Sequence, residues 1–162
     1  MIDLTNESGR AADEAGLVAL AGFAQRQLHI HPEAAASILL VDEATMATYH
    51  ERFMDEPGPT DVLSFPMDEF RPPGPGEEPP QGLLGDVVLC PAVTARQAAE
   101  FGRTPDQEAE YLLVHGLLHL LGFDHAEPAE KRVMFNLNDA LIAAWDKERG
   151  RRAGRRLRRP AR

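Results

Sequence analysis

Three histidines are the residues of this 162-residue chain best placed to do chemistry: His115, His119 and His125, in the stretch HGLLHLLGFDH. His115 and His119 are four residues apart, so on a helix they share one face with Cβ atoms about 5–6 Å apart. Both imidazoles can then reach one ion. Gly122 supplies a positive-φ stop, and the turn through Phe123 and Asp124 brings His125 back as a third ligand. A single histidine is ordinarily a partly buried polar residue. Here half of the chain's six histidines fall in this one stretch, two on a helix face and the third behind a helix-ending glycine, which points to metal ligation. Three neutral imidazoles suit Zn2+, one ion per chain. Nitrogens at about 2.0–2.1 Å leave a fourth tetrahedral position for water and lower its pKa to about 7. Copper, nickel and iron also accept imidazole. His29, His31 and His50 read as ordinary histidines.

The spacing matches the metzincin protease pattern HExxHxxGxxH at every position but one: the glutamate that serves those enzymes as general base is Gly116 here. Without a carboxylate beside the metal, peptide hydrolysis lacks its usual proton acceptor and leaving-group donor. Asp124 is the nearest other carboxylate, either orienting a ligand or capping the turn. The single cysteine, Cys90, excludes an internal disulfide and a cysteine-based metal cage. Its setting in the apolar run LLGDVVLC reads as core.

The helix that must carry His115 and His119 has a legible start. Thr104-Pro105-Asp106-Gln107 places a capping hydroxyl, proline at the first helical position and a glutamine three residues on, predicting a helix over 105–121 with the metal site at its C-terminus. Helical periodicity also marks 10–28, a short stretch ending near Phe53, 92–101 and 128–145, the last carrying Val133, Leu137, Leu141 and Trp145 as a core-facing stripe. Strands are expected at 1–4, 36–41, 62–65 and 84–90. Between Phe70 and Gly82, FRPPGPGEEPPQG has five prolines and three glycines and reads as a long flexible connection. Four strands with about five helices and no strict βαβ alternation make the class α+β, a single domain.

The formal net charge of −9 conceals an asymmetry: residues 147–162 hold nine basic residues and one acidic, leaving −17 on residues 1–146. The reading is a domain over 1–146 and a basic tail over 147–162, either a disordered extension or a polyanion-binding arm. No apolar run approaches the roughly 18 residues of a membrane span, and the N-terminus lacks a secretory pattern, so a soluble cytoplasmic protein is expected.

HGLLHLLGFDH, PTDVLSFP (Pro59 to Pro66) and LLGDVVLC (Leu83 to Cys90), in that spacing and covering about residues 36–145, resemble the YbeY family of bacterial endoribonucleases and ribosomal-RNA maturation factors. The resemblance implies a small mixed sheet, zinc on His115, His119 and His125, and cleavage of single-stranded RNA. It further implies a role in 16S rRNA 3′-end processing, late small-subunit maturation and ribosome quality control. RNA of the small subunit is then the expected partner, with no DNA and no membrane. Many members carry a Tyr-Arg pair before the PTDVLSFP block, the arginine serving RNA binding or cleavage. Its position here is Met54, and Arg52 is the nearest substitute, so that Arg52 and His115 are the catalytic candidates. Thr60 and Asp61 read as turn and strand-entry residues, while Ser64 and Asp86 stay open between packing and function. Two alternatives stand beside the nuclease: a non-catalytic ribosome assembly factor with a structural metal, and a zinc hydrolase of a non-RNA substrate, which Gly116 disfavours.

Overall fold

Each apolar run read as a strand forms one, and each periodic stretch forms a helix, in the computed structural model of the chain. It describes residues 1–71, 73–79 and 81–157, with 151–157 as backbone alone. The order is β1 (Ile2–Asn6), α1 (Glu14–Gln27), β2 (Ala35–Leu40), α2 (Glu43–Met54), β3 (Val62–Pro66), β4 (Leu83–Leu89), α3 (Pro91–Phe101), α4 (Pro105–Leu120) and α5 (Pro128–Leu157). The α+β class with a four-stranded mixed sheet is therefore as read. Strands run β1-β2-β4-β3 across the sheet; β1, β2 and β4 are parallel, and β3 is the antiparallel edge.

Strand alternation decides which face is dry. On β2, Ala36, Ile38 and Leu40 are buried while their neighbours are partly exposed, as a period-2 strand covered on one side requires. Their face receives α1 and α4 and joins Leu20, Val87, Leu89, Leu113, Val114 and Leu118 in the main core. A smaller cluster, Val41, Met46, Leu63, Val88, Cys90 and Val93, takes up α2 and α3 residues. Cys90 is fully buried there, and burial pushes its thiol pKa up, so it is core and not a reactive group.

α4 is the helix on which the rest is organised, packing on β3, β4, α1, α3 and α5. Its start is a reciprocal cap. Thr104 Oγ1 accepts from the Gln107 N–H at 3.1 Å and the Gln107 side-chain oxygen accepts from the Thr104 N–H at 3.0 Å, satisfying two otherwise unpaired donors. The segment between β3 and β4 is irregular in its described residues, but it is not free of the core: Phe70 is buried in it, and Asp68 accepts from the Leu83 N–H at 2.8 Å.

The last helix extends past the apolar stripe read at 128–145 to Leu157, so the boundary read at 146/147 falls inside it. Trp145 packs on Phe23 of α1 with ring centroids 5.3 Å apart, and Arg149 reaches back to Glu110 of α4 at 2.7 Å. These contacts hold the helix to the domain past its apolar stripe, where Lys147, Glu148 and Arg149 are themselves good helix formers. Residues 158–162 of the tail lie outside the described residues. Among the described residues no helix is long and apolar enough to cross a membrane.

Candidate metal centre

The last turns of α4 bring His115 and His119 together, with their Nε2 atoms 3.2 Å apart. The third ligand depends on how the helix ends. Gly122 stands at φ 89°, its N–H bonds the His119 carbonyl at 3.0 Å, and the Phe123 N–H bonds the Leu118 carbonyl at 3.1 Å. These two hydrogen bonds close the helix through a left-handed residue, a position that glycine occupies without steric cost. The chain reverses, and the Asp124 carboxylate accepts from the His125 N–H at 2.7 Å, fixing the turn. One ligand atom of each of the three imidazoles then lies within 4.8 Å of the others. Nitrogens at about 2.0–2.1 Å from a tetrahedral ion stand about 3.3–3.4 Å apart. The 3.2 Å between the two Nε2 atoms is close to that edge, so the donor set fits zinc. Phe135 of α5 walls the group, 5.7 Å from His115 and 6.4 Å from His125 between ring centroids.

Burial, then the neighbouring His119 and His125, lower the His115 pKa to about 4, with Asp61 opposing; burial also lowers that of His119. Both imidazoles are therefore neutral at pH 7, with lone pairs available to a metal. Because the folded-state pKa of His115 lies below its unfolded value of 6.5, the stability it contributes is complete above pH 6.5 and is lost as pH falls toward about 4. The metal-free protein is thus expected to show a falling unfolding midpoint across that window, and His115→Gln to flatten the decline. A midpoint that is level from pH 6.5 to about 4 in the unsubstituted chain would contradict it.

The histidines open onto a cleft of about 710 Å³ between α4 and the edge strand β3. Asp61, Ser64, Gln97, Glu108, Tyr111, Asp124 and Phe135 line it, as does Met54 at the mouth of α2. Arg52 does not. It is exposed on the last turn of α2 with its guanidinium 5.7 Å from the Phe53 ring, and the structure does not bring it to the histidines. Asp61 enters the strand, its carboxylate accepting from the Val62 N–H at 2.8 Å, and it also lines the cleft. Asp86 lies across the sheet, in a separate hollow with Asp3 and Ser37. His29, His31 and His50 take no part in a ligand group among the described residues. Phe135, Gln97 and Phe101 were not singled out from sequence. Glu108, Tyr111 and His115 share a helical stripe that could have flagged the first two, whereas nothing local to Phe135 points to the histidines.

Gly116 faces the sheet. A Cβ built there would stand 2.6 Å from Val87 Cγ1 and 3.2 Å from Ser64 Oγ. Ser64 donates to the Gly116 carbonyl at 2.9 Å, tying edge strand to helix. Ser64 is therefore a tether for the wall of the cleft, and Ser64→Ala is expected to cost about 0.5–1.5 kcal/mol in denaturant unfolding while leaving metal content unchanged. An unchanged unfolding midpoint would show that the bond contributes nothing.

The family model described as Endoribonuclease YbeY matches residues 5–146. Among curated proteins, the endoribonuclease YbeY of Cutibacterium acnes is 72% identical over 149 residues, spanning 92% of this chain and 96% of that one. The endoribonuclease YbeY of Thermobifida fusca is 56% identical over 144 residues, 89% of this chain and 93% of that one. Among solved structures, the solution structure of TM1509 from Thermotoga maritima superposes with a TM-score of 0.64 at 24% identity, covering 93% of each chain, a likeness of fold.

Proposed function

The chain belongs to the YbeY family, and on that premise we propose that it is a zinc-dependent endoribonuclease that cuts single-stranded RNA at the three-histidine centre. We propose further that the RNA is the 16S rRNA precursor near its 3′ end, so that the protein serves late small-subunit assembly and ribosome quality control in the cytoplasm. The observation that carries the reading is the three converging imidazoles at the wall of an open cleft. Structural zinc sites are closed by four protein ligands, whereas catalytic ones keep a position open, and the ligand group among the described residues has three members.

His115, His119 and His125 would hold the ion, which when bound supplies Lewis acidity toward a phosphodiester oxygen. The chain's own part is positional. Burial keeps His115 and His119 unprotonated, the Gly122 turn holds His125 in place, and the Phe135 ring stands against His115 and His125 on one side. Asp61 and Asp124 line the cleft and are the carboxylates beside the centre that can accept a proton from an attacking hydroxyl. A peptidase reading is disfavoured because the position that would supply its glutamate points into the sheet. The test is incubation of the zinc-loaded full chain with a 16S 3′-end precursor, the same RNA annealed into a duplex, and a peptide library. Cleavage of the single-stranded precursor alone is expected. Cleavage of peptides, or of no substrate, would overturn the reading.

A further inference from the structure

A phosphodiester strand brings one negative charge per nucleotide, yet no lysine or arginine lines the cleft among its described residues. Cations stand instead at its rim, each on an aromatic ring. Lys131 Nζ lies 5.8 Å over Phe135, beside the histidines. Arg103 lies 5.1 Å over Tyr111 and 5.9 Å over Phe101, both of which line the cleft. The two cations differ in how firmly they are held. Lys131 is a point charge on a flexible stem. Arg103 has one nitrogen, Nη1, bonded at 3.1 Å to Glu108, whose side chain is only 4% exposed, while the arginine side chain is 42% exposed. A buried carboxylate thus anchors one nitrogen of the guanidinium of a side chain that is partly open to solvent. At the end of α3, Phe101 is 65% exposed, a large ring that contributes nothing to the core. Tyr111 precedes His115 by one turn of α4, about 6 Å along the axis, so the cluster lies on the line of the cleft that leads to the histidines.

An exposed ring, an anchored arginine and a second ring on one rim make up the parts that bind single strands: bases stack on aromatic faces without regard to sequence, and arginine pairs with phosphate. We propose that Phe101, Arg103 and Tyr111 form a nucleotide-holding subsite for single-stranded RNA. Phe101 stacks on a base and Arg103 binds the adjoining phosphate, so that a neighbouring linkage is presented to the histidines. This rests on the reading of the cleft as an RNA site and supplies a phosphate-binding group beside a cleft lined by Met54 and by no arginine among the described residues.

The test is binding of a cleavage-resistant, 2′-O-methyl phosphorothioate single-stranded RNA to the zinc-loaded full chain over a range of salt. Phe101→Ala, at an exposed position, is expected to weaken binding about tenfold with the salt slope unchanged. Arg103→Gln is expected to weaken it about tenfold and to reduce the slope by about 0.7, the value of one phosphate contact on a single strand. Arg103→Lys, which keeps the charge and the Glu108 pair, should retain the slope, and zinc content should be unchanged in all three. Binding within about twofold of the unsubstituted chain for both Phe101→Ala and Arg103→Gln would overturn the subsite and leave the endoribonuclease reading standing. Failure of the unsubstituted chain to bind the RNA would overturn both.

Discussion

His119→Ala is expected to abolish stable zinc binding and to lower RNA cleavage by at least about 10³-fold, the scale of removing a group that stabilises transition-state charge. His119 is the sharpest choice of the three because its Nε2 stands 3.2 Å from that of His115. Loss of one of three ligands costs well beyond the about 10–100-fold in affinity that follows loss of a mere supporting partner. Metal content and cleavage measured on the same preparation check this. Circular dichroism of the variant should match that of the metal-free chain, since α4 is held by its cap at Thr104 and by packing on the sheet and α5, not by the ion. A variant that unfolds while the metal-free chain stays folded would indicate that His119 is structural. Zinc retained at full occupancy would remove it from the ligand set.

Gly116→Glu, which completes the protease-like spacing, is expected to unfold the protein or cost more than about 3 kcal/mol and to yield no peptidase. The first atom added meets Val87 Cγ1 at 2.6 Å, and the carboxylate beyond it enters the seam between α4 and the sheet. Overpacking of a core costs about 1–3 kcal/mol, and burying an unpaired charge adds several more. Gly116→Ala separates the two effects. It gains about 1 kcal/mol of helix propensity against the methyl clash and should end slightly to moderately destabilised, by denaturant unfolding. A Gly116→Glu protein as stable as the unsubstituted chain would show that the seam is looser than the 2.6 Å contact implies.

Gly116 also marks how far the residues alone can be read. That position 116 lacks a carboxylate is legible in one line of sequence, but that its face is turned to Val87 and Ser64 is set by the packing angle of α4, to which residues far along the chain contribute. The elements themselves are legible because each carries a local cause: the Thr104 cap, the Gly122 stop, the short apolar run 36–41 between Pro32 and the acidic pair Asp42 and Glu43. The strand order β1-β2-β4-β3 has no local cause, and neither does the length of α5. A run of arginines is compatible with coil or helix, and the contact that decides for residues up to 149 is the pair with Glu110. In the same way the three histidines were found by spacing, while Phe135 reached them from another helix. Arg52 stands two residues before Met54 in sequence, and on the helix its guanidinium lies 5.7 Å from the Phe53 ring.

On the proposed reading, RNA is cut only when His115, His119 and His125 hold a metal ion, which would supply the Lewis acidity. The most direct test of that reading is titration of zinc into metal-stripped full chain with cleavage of a single-stranded 16S 3′-end precursor as the readout. The expected result is no cleavage without metal, a rise that saturates at one zinc per chain, and no such rise with His119→Ala. Cleavage at full rate by the stripped protein, or a rate indifferent to zinc, would contradict it.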